Sequence, residues 1–252
     1  MSMTRIAVPA LCALLASVIL AADNQYVGYP ESPESPISHT GYALGFSKKH
    51  WQARWTQYRL TKQNIKDSMG KPRYTGAFMP DPDPLIPYRL EIARDYSLSG
   101  YDRGHLVPDL DLRYSFEAQR ETYYYSNVSP QKHYFNLGVW RRLENKVRSL
   151  AYREGSIVIV TGPIFPLSRE QKLGGLQTVP NKFFKVIYSE GDTPKMIGFI
   201  IPHYETQAPL STFVCTVAKV EVETGLRFFP KLPSDVQKDL KTRTSPQDWG
   251  IE

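Results

Sequence analysis

The chain has 252 residues at 28.8 kDa, enough for one large domain or two small ones, with a core that needs no disulfide or metal staples. At 41% hydrophobic and 22% charged residues it is neither wholly disordered nor a multi-span membrane protein, and two cysteines exclude both a disulfide scaffold and a four-cysteine zinc site. The 31 Lys and Arg against 25 Asp and Glu leave a charge of +6, which favours an anionic partner without identifying one.

The chain opens on MSMTRIAVPALCALLASVILAA, residues 1–22. One positive residue (Arg5), an apolar run from Ile6 to Leu20 and a small Ala-Ala end have the layout of a secretory signal peptide. The run is short for a membrane span, so an uncleaved N-terminal anchor is the second reading. A mitochondrial transit peptide would carry several arginines. The expected location is therefore secreted or periplasmic. Cleavage removes Cys12 and leaves Cys215 alone, an inert thiol expected within a β-rich run.

Residues 23–45, with YPESPESPIS at their centre, read as an extended linker, and residues 46–252 as the folded domain. HWQARWTQYRLTKQNI, from His50, supplies a first strand. The proline density of residues 70–100 predicts an irregular surface excursion. NLGVWRRLENKVRSLAYREG is the best helix. Trp140, Leu143, Val147, Leu150 and Ala151 make one apolar face, and Asn136 stands at the N-cap position. Asn136, Trp140, Glu144 and Arg148 climb that helix in steps of four, a ridge that can carry polar groups into a cleft. SIVIVTGPIF, FFKVIYSE, KMIGFIIPHY and STFVCTVAKVEVETG read as later strands, and KLPSDVQKDLKTR as a short helix capped by Ser234. One mixed α+β domain is the simplest reading.

Most familiar chemistries find no support. The five histidines show no HExxH spacing, and there is no GxSxG elbow, phosphate loop or dinucleotide fingerprint. What remains is GYDRGHLVPDLDLRYS and, further on, YYYSNVSPQKHYFNLGVWRRLEN. Gly104 lets the backbone turn tightly before His105, the side chain whose ordinary pKa suits proton transfer near neutrality. Asn127, Gln131, His133, Asn136 and Glu144 lie within eighteen residues. Taken one at a time, each has a bland alternative as a turn residue, cap or surface ion-pair partner. Asp109 and Asp111, behind DRGH, are expected in solvent.

In order, Asp102-Arg103-Gly104-His105, SNVSPQ with Asn127, and Asn136 followed eight residues later by Glu144 resemble the DNA/RNA non-specific endonucleases. These are ββα-metal nucleases related to mitochondrial endonuclease G, and the likeness covers roughly residues 45–235. The resemblance implies an α+β fold, with a central antiparallel sheet, flanking helices and a ββα-metal motif. It implies His105 as general base, Asn136 as the direct ligand of a hydrated Mg²⁺ (Mn²⁺ being the alternative), and Glu144 holding that ion's waters. Arg73 and Arg148 would contact phosphate, Asn127 would support the histidine and metal geometry, and Arg103 with Asp102 would shape the turn that presents His105. The implied partners are DNA and RNA, gripped through the phosphate backbone, with a homodimer possible and no stable membrane association after leader removal. The rival readings are a phosphodiesterase of small nucleotides and a non-catalytic nucleic-acid binder.

Overall fold

The computed structural model describes residues 25–251 except 88–91 and 169. The expected signal segment, residues 1–22, lies outside the described residues. Eleven strands form among the described residues: β1 (Pro36–Ser38), β2 (Ala43–Ser47), β3 (Gln52–Thr61), β4 (Tyr101–His105), β5 (Val128–Lys132), β6 (Ser156–Ile164), β7 (Lys172–Leu173), β8 (Gln177–Thr178), β9 (Lys182–Ser189), β10 (Lys195–Pro202) and β11 (Val214–Cys215). Seven of them make one antiparallel sheet in the order β1-β2-β3-β6-β9-β10-β11, while β4 pairs with β5 and β7 with β8.

The central strands are apolar on both faces because both faces are covered. Alternate residues of a strand point to opposite sides. Ile157, Ile159, Phe183 and Ile187 therefore enter one core, whereas Val158, Val160, Phe184 and Val186 enter a second. The first core packs against the helix predicted from residue 136 through Leu143, Val147, Leu150 and Ala151. The second is closed by the C-terminal third, including Val217, Val220, Phe228 and Leu240. Among the described residues the helices of six or more residues are α1 (Lys62–Ser68), α2 (Phe116–Glu121), α3 (Arg141–Glu154), α4 (Val217–Thr224) and α5 (Ser234–Thr242). The α+β architecture with an antiparallel central sheet and flanking helices is the one expected.

Several local expectations give way. Residues 25–45 are not a free linker: Pro36–Ser38 pairs with Ala43–Ser47 at the sheet edge, and Val27, Ile37 and Tyr42 are buried. Proline-rich composition suits an edge strand, which presents unpaired N–H groups that proline lacks. VAKVEVET is α4 and not a strand. Thr216 accepts from the Lys219 N–H at its start, left-handed Gly225 closes it, and Val217 and Val220 lie one turn apart on the sheet. β-Branched composition misled there, because end signals and packing outweigh propensity. Ser234 is the first residue of α5, with Pro233 at the cap. Cys215 does fall on a strand, half-buried, and burial pushes its thiol up to about 11.

Candidate active site

A two-stranded ribbon and the helix after it carry the site. Register pairs Asp102 with Gln131, Arg103 with Pro130, Gly104 with Ser129 and His105 with Val128. Gly104 lies in extended strand, not in the tight turn expected of it. Glycine is required because a Cβ there would fall 2.3 Å from Gln131 Cδ. Past β5 the chain makes a short turn (His133–Phe135), a wide π turn (Asn136–Trp140) and then α3. Asn136 is thus inside the helical run with φ −59°, ψ −53°, and is not its N-cap. Gly138, at φ −97° and ψ −111°, absorbs the kink. In a regular α-helix eight residues overshoot two turns by about 80°. The kink at Gly138 breaks that regular advance between Asn136 and α3, so helix periodicity does not govern their relation.

The side chains fall into three linked groups. In the first, the half-buried His105 ring sits 5.1 Å from Phe78 and edge-on to Tyr123 at 5.0 Å. Its Nε2 is buried and has no hydrogen-bond partner in the protein. Burial lowers its pKa to about 4, with Asp109 pulling up and Arg73 pushing down. The imidazole is therefore neutral at pH 7 and can take a proton. Arg73 donates twice to Asp109, Nε to Oδ2 at 2.7 Å and Nη2 to Oδ1 at 3.1 Å, yet its side chain stays 55% exposed. Asp109 also accepts from Gln119 Nε2 and from the Tyr123 hydroxyl, both at 3.3 Å.

The second group orients Asn136. Its Nδ2 donates to Asp102 Oδ2 at 2.9 Å, and His133 Nδ1 meets the same carboxylate at 3.1 Å. With its nitrogen held there, the amide turns Oδ1 away from Asp102 as an acceptor for a hard cation. Asp102 therefore orients Asn136 and does more than shape a turn. His133 is a second partner of that carboxylate.

The third group surrounds α3. Arg148 Nη1 donates to Asp111 Oδ1 at 2.7 Å, and the Tyr58 hydroxyl donates to Asp111 Oδ2 at 2.7 Å. Glu144 has its pKa raised to about 7, by burial first; Lys185 and Arg148 lower it while Asp111 and Asp109 raise it. Fully buried Lys185 donates to Thr161 Oγ1 at 2.6 Å and lies 5.0 Å over the Trp140 ring. Burial lowers its pKa to about 8, against the pull of Glu144 and Asp111.

Asp109 and Asp111 are thus not solvated: they are 6% and 1% exposed and anchor Arg73 and Arg148. A buried carboxylate needs a cationic or hydrogen-bonding partner, and the acids alternating with leucines in DLDL were the legible sign of it. Lys185 gave a similar sign as the lone charge in FFKVIY. Asn127 is buried and makes its contacts to backbone: Oδ1 accepts from Val107 N–H at 2.9 Å, while Nδ2 donates to the carbonyls of Val107 and Thr122 at 3.0 and 2.9 Å. It fixes the segment just past His105 and acts through it. Arg103 stacks over Phe78 and Tyr96 at 5.9 and 5.4 Å, on the face of β4 that His105 also uses. Tyr123 and Phe78 were missed by sequence reasoning, since nothing in YYYSN or GAFMP distinguishes a site aromatic from a core one. No hydrogen bond or ring contact joins His105 to Asn136 among the described residues, and no group of three or more His, Cys, Asp or Glu forms a metal cluster there. One amide oxygen backed by a nearby carboxylate fits a hydrated Mg²⁺, which keeps most of its waters.

Comparison with known proteins places the chain in a family. Residues 20–235 match the family described as DNA/RNA non-specific endonuclease. Over 232 residues the chain is 33% identical to nuclease C1 of Cunninghamella echinulata var. echinulata, covering 86% of this chain and 92% of that one. It is 32% identical to the mitochondrial nuclease 1 of Schizosaccharomyces pombe, over 81% of this chain and 68% of the relative. A crystal structure of the EndoG/EndoGI complex superposes with a TM-score of 0.75 at 25% identity, covering 90% of this chain and 95% of that chain.

Proposed function

Because the chain belongs to the DNA/RNA non-specific endonuclease family and is a hydrolase acting on phosphodiester bonds, we propose that it is a Mg²⁺-dependent endonuclease of single- and double-stranded DNA and RNA with His105 as its general base. The observation that carries this is the His105 ring, whose buried Nε2 has no hydrogen-bond partner in the protein and which burial keeps neutral, beside an arginine that stays open to solvent. A base must carry a free lone pair at working pH. This one does so across the whole neutral range.

When bound, Mg²⁺ supplies positive charge where negative charge grows on the phosphate and the departing oxygen. Asn136 Oδ1 would hold it, and Glu144 would hold its waters. His105 removes a proton from the attacking water, whose oxygen bonds to phosphorus as the bond from phosphorus to the 3′ oxygen breaks. A proton returns to that oxygen, leaving 3′-hydroxyl and 5′-phosphate ends. Arg73 and Arg148, held by Asp109 and Asp111, present planar donors to the phosphate and lower the cost of placing it there. Gripping phosphates without reading base edges gives no sequence choice.

The leader of residues 1–22 supports a secreted or periplasmic enzyme free of the membrane after cleavage, and its single arginine is the reason for preferring export to the mitochondrial address in the names of some relatives. No helix of the described residues is long and apolar enough to cross a membrane. A homodimer is compatible with this reading.

The test incubates the protein with supercoiled plasmid and with RNA, in Mg²⁺ or EDTA, beside His105→Ala. Degradation of both polymers that requires Mg²⁺ and drops by about 10² to 10⁴ in the variant is expected. Full activity in His105→Ala would remove it as the base. A folded wild type that retards DNA but never cuts it would leave the binding reading.

A further inference from the structure

Phe116 is 65% exposed at the first position of α2, where Ser115 caps the helix by accepting from the Ala118 N–H. A single exposed phenylalanine is ordinary; its ring neighbours mark this one out. It is not isolated. Its ring stands edge-on to Tyr74 at 5.9 Å and 71°, and Tyr74 stands edge-on to Tyr123 at 4.8 Å and 64°. Tyr123 in turn stands edge-on to His105. Three rings in series therefore lead from an open surface to the proposed base.

The platform is also fixed in place. Tyr74 N–H donates to Gln119 Oε1 at 3.0 Å, which ties its backbone to α2. The residue before Tyr74 is Arg73, the half-exposed guanidinium locked to Asp109. A phosphate-binding cation and an aromatic platform are thus neighbours in the chain.

We propose that Phe116, backed by Tyr74, is a stacking surface for an unpaired nucleobase of the strand whose phosphate Arg73 grips, and that it biases the enzyme toward unpaired strands. This rests on the nuclease reading and extends it to substrate choice. An unpaired base can splay outward onto an aromatic face, whereas a duplex keeps its bases stacked on one another. Every base has such a face, so the preference is for strand state and not for sequence.

Binding is measured by fluorescence anisotropy in EDTA, so that no cleavage occurs, with three labelled ligands: a short adenine-rich single strand, the same strand with abasic sites, and its duplex. Removing one stacking partner should weaken the base-bearing strand in Phe116→Ala by about fivefold or more. The abasic strand and the duplex should be unaffected, and Phe116→Trp should restore binding. Equal weakening on all three ligands, or none on any, overturns the proposal. Should Phe116→Ala misfold, Phe116→Leu keeps apolar volume without a π face and takes its place. If the wild type binds these strands but cuts nothing in Mg²⁺, the nuclease reading fails while the three-ligand comparison still decides the stacking surface.

Discussion

At the scale of single residues, an acid holds each of three groups of the candidate site. Asp109 holds Arg73, Asp111 holds Arg148 and Asp102 holds Asn136. The acids spend none of their charge on the substrate; they fix the rotamers of groups that would. Asn127 does the same for backbone. Its three hydrogen bonds tie Val107 and Thr122 together two residues past His105. Asn127→Ala leaves a buried N–H and two carbonyls without that partner, and an unmet buried polar group costs about 1–3 kcal/mol. Urea denaturation should show a loss of roughly 3 kcal/mol or more, with activity falling further than the folded fraction because His105 shifts. A variant as stable as the wild type would mean that the amide is dispensable.

At the scale of elements, the wide turn before α3 is the feature that regular periodicity does not contain. Gly138 carries the non-helical angles of that turn, φ −97° and ψ −111°, and a Cβ there would meet nothing within 4 Å. Alanine favours regular helix over glycine by about 1 kcal/mol, so Gly138→Ala favours straightening the kink, which moves Asn136 relative to α3. The expected result is a several-fold rise in the Mg²⁺ concentration for half-maximal activity. An unchanged Mg²⁺ requirement would show that the turn does not place Asn136. The elements most legible in sequence were those with one strong signal. The helix face Trp140, Leu143, Val147, Leu150 and Ala151 is fully in the core, and SIVIVTGPIF and FFKVIYSE are central strands. The motif order named His105, Asn136 and Glu144 as the candidate site. What stayed hidden depends on contacts made across the chain. The arginine partner of Asp109 is thirty-six residues away, the hydroxyl partner of Lys185 twenty-four, and residues 25–45 enter the fold through the β3 edge and a bridge to Arg227. No local pattern encodes such pairings.

At the scale of the whole molecule, histidine burial sets how the fold responds to acid. His203 joins the two halves of the site scaffold: its Nε2 accepts from the Lys132 N–H at 2.7 Å and its Nδ1 donates to the Pro180 carbonyl at 2.8 Å, with Phe135 and Phe183 edge-on at 5.0 and 5.1 Å. Both nitrogens are committed in a way that only the neutral ring satisfies, since a proton on Nε2 would face the Lys132 N–H. Burial, opposed by the Pro180 carbonyl and aided by Lys132, lowers its pKa to about 4. His50, stacked 3.7 Å from Phe165, is likewise lowered to about 4, by burial first. Above pH 6.5 these rings are neutral whether the chain is folded or unfolded, and they add no pH dependence. As pH falls below 6.5 the unfolded chain takes up the protons first, so stability declines until about pH 4. The loss is on the order of 3 kcal/mol for a ring as buried as His203. Glu144, raised to about 7, works in the opposite direction as it protonates, and so softens the decline without reversing it. Tm should therefore fall between pH 7 and pH 4.5, and the slope should be shallower in His203→Gln, which keeps a donor and an acceptor but cannot titrate. Parallel Tm profiles for the two proteins would show that His203 is not a source of the acid sensitivity, and would transfer that role to His50 and the remaining buried groups.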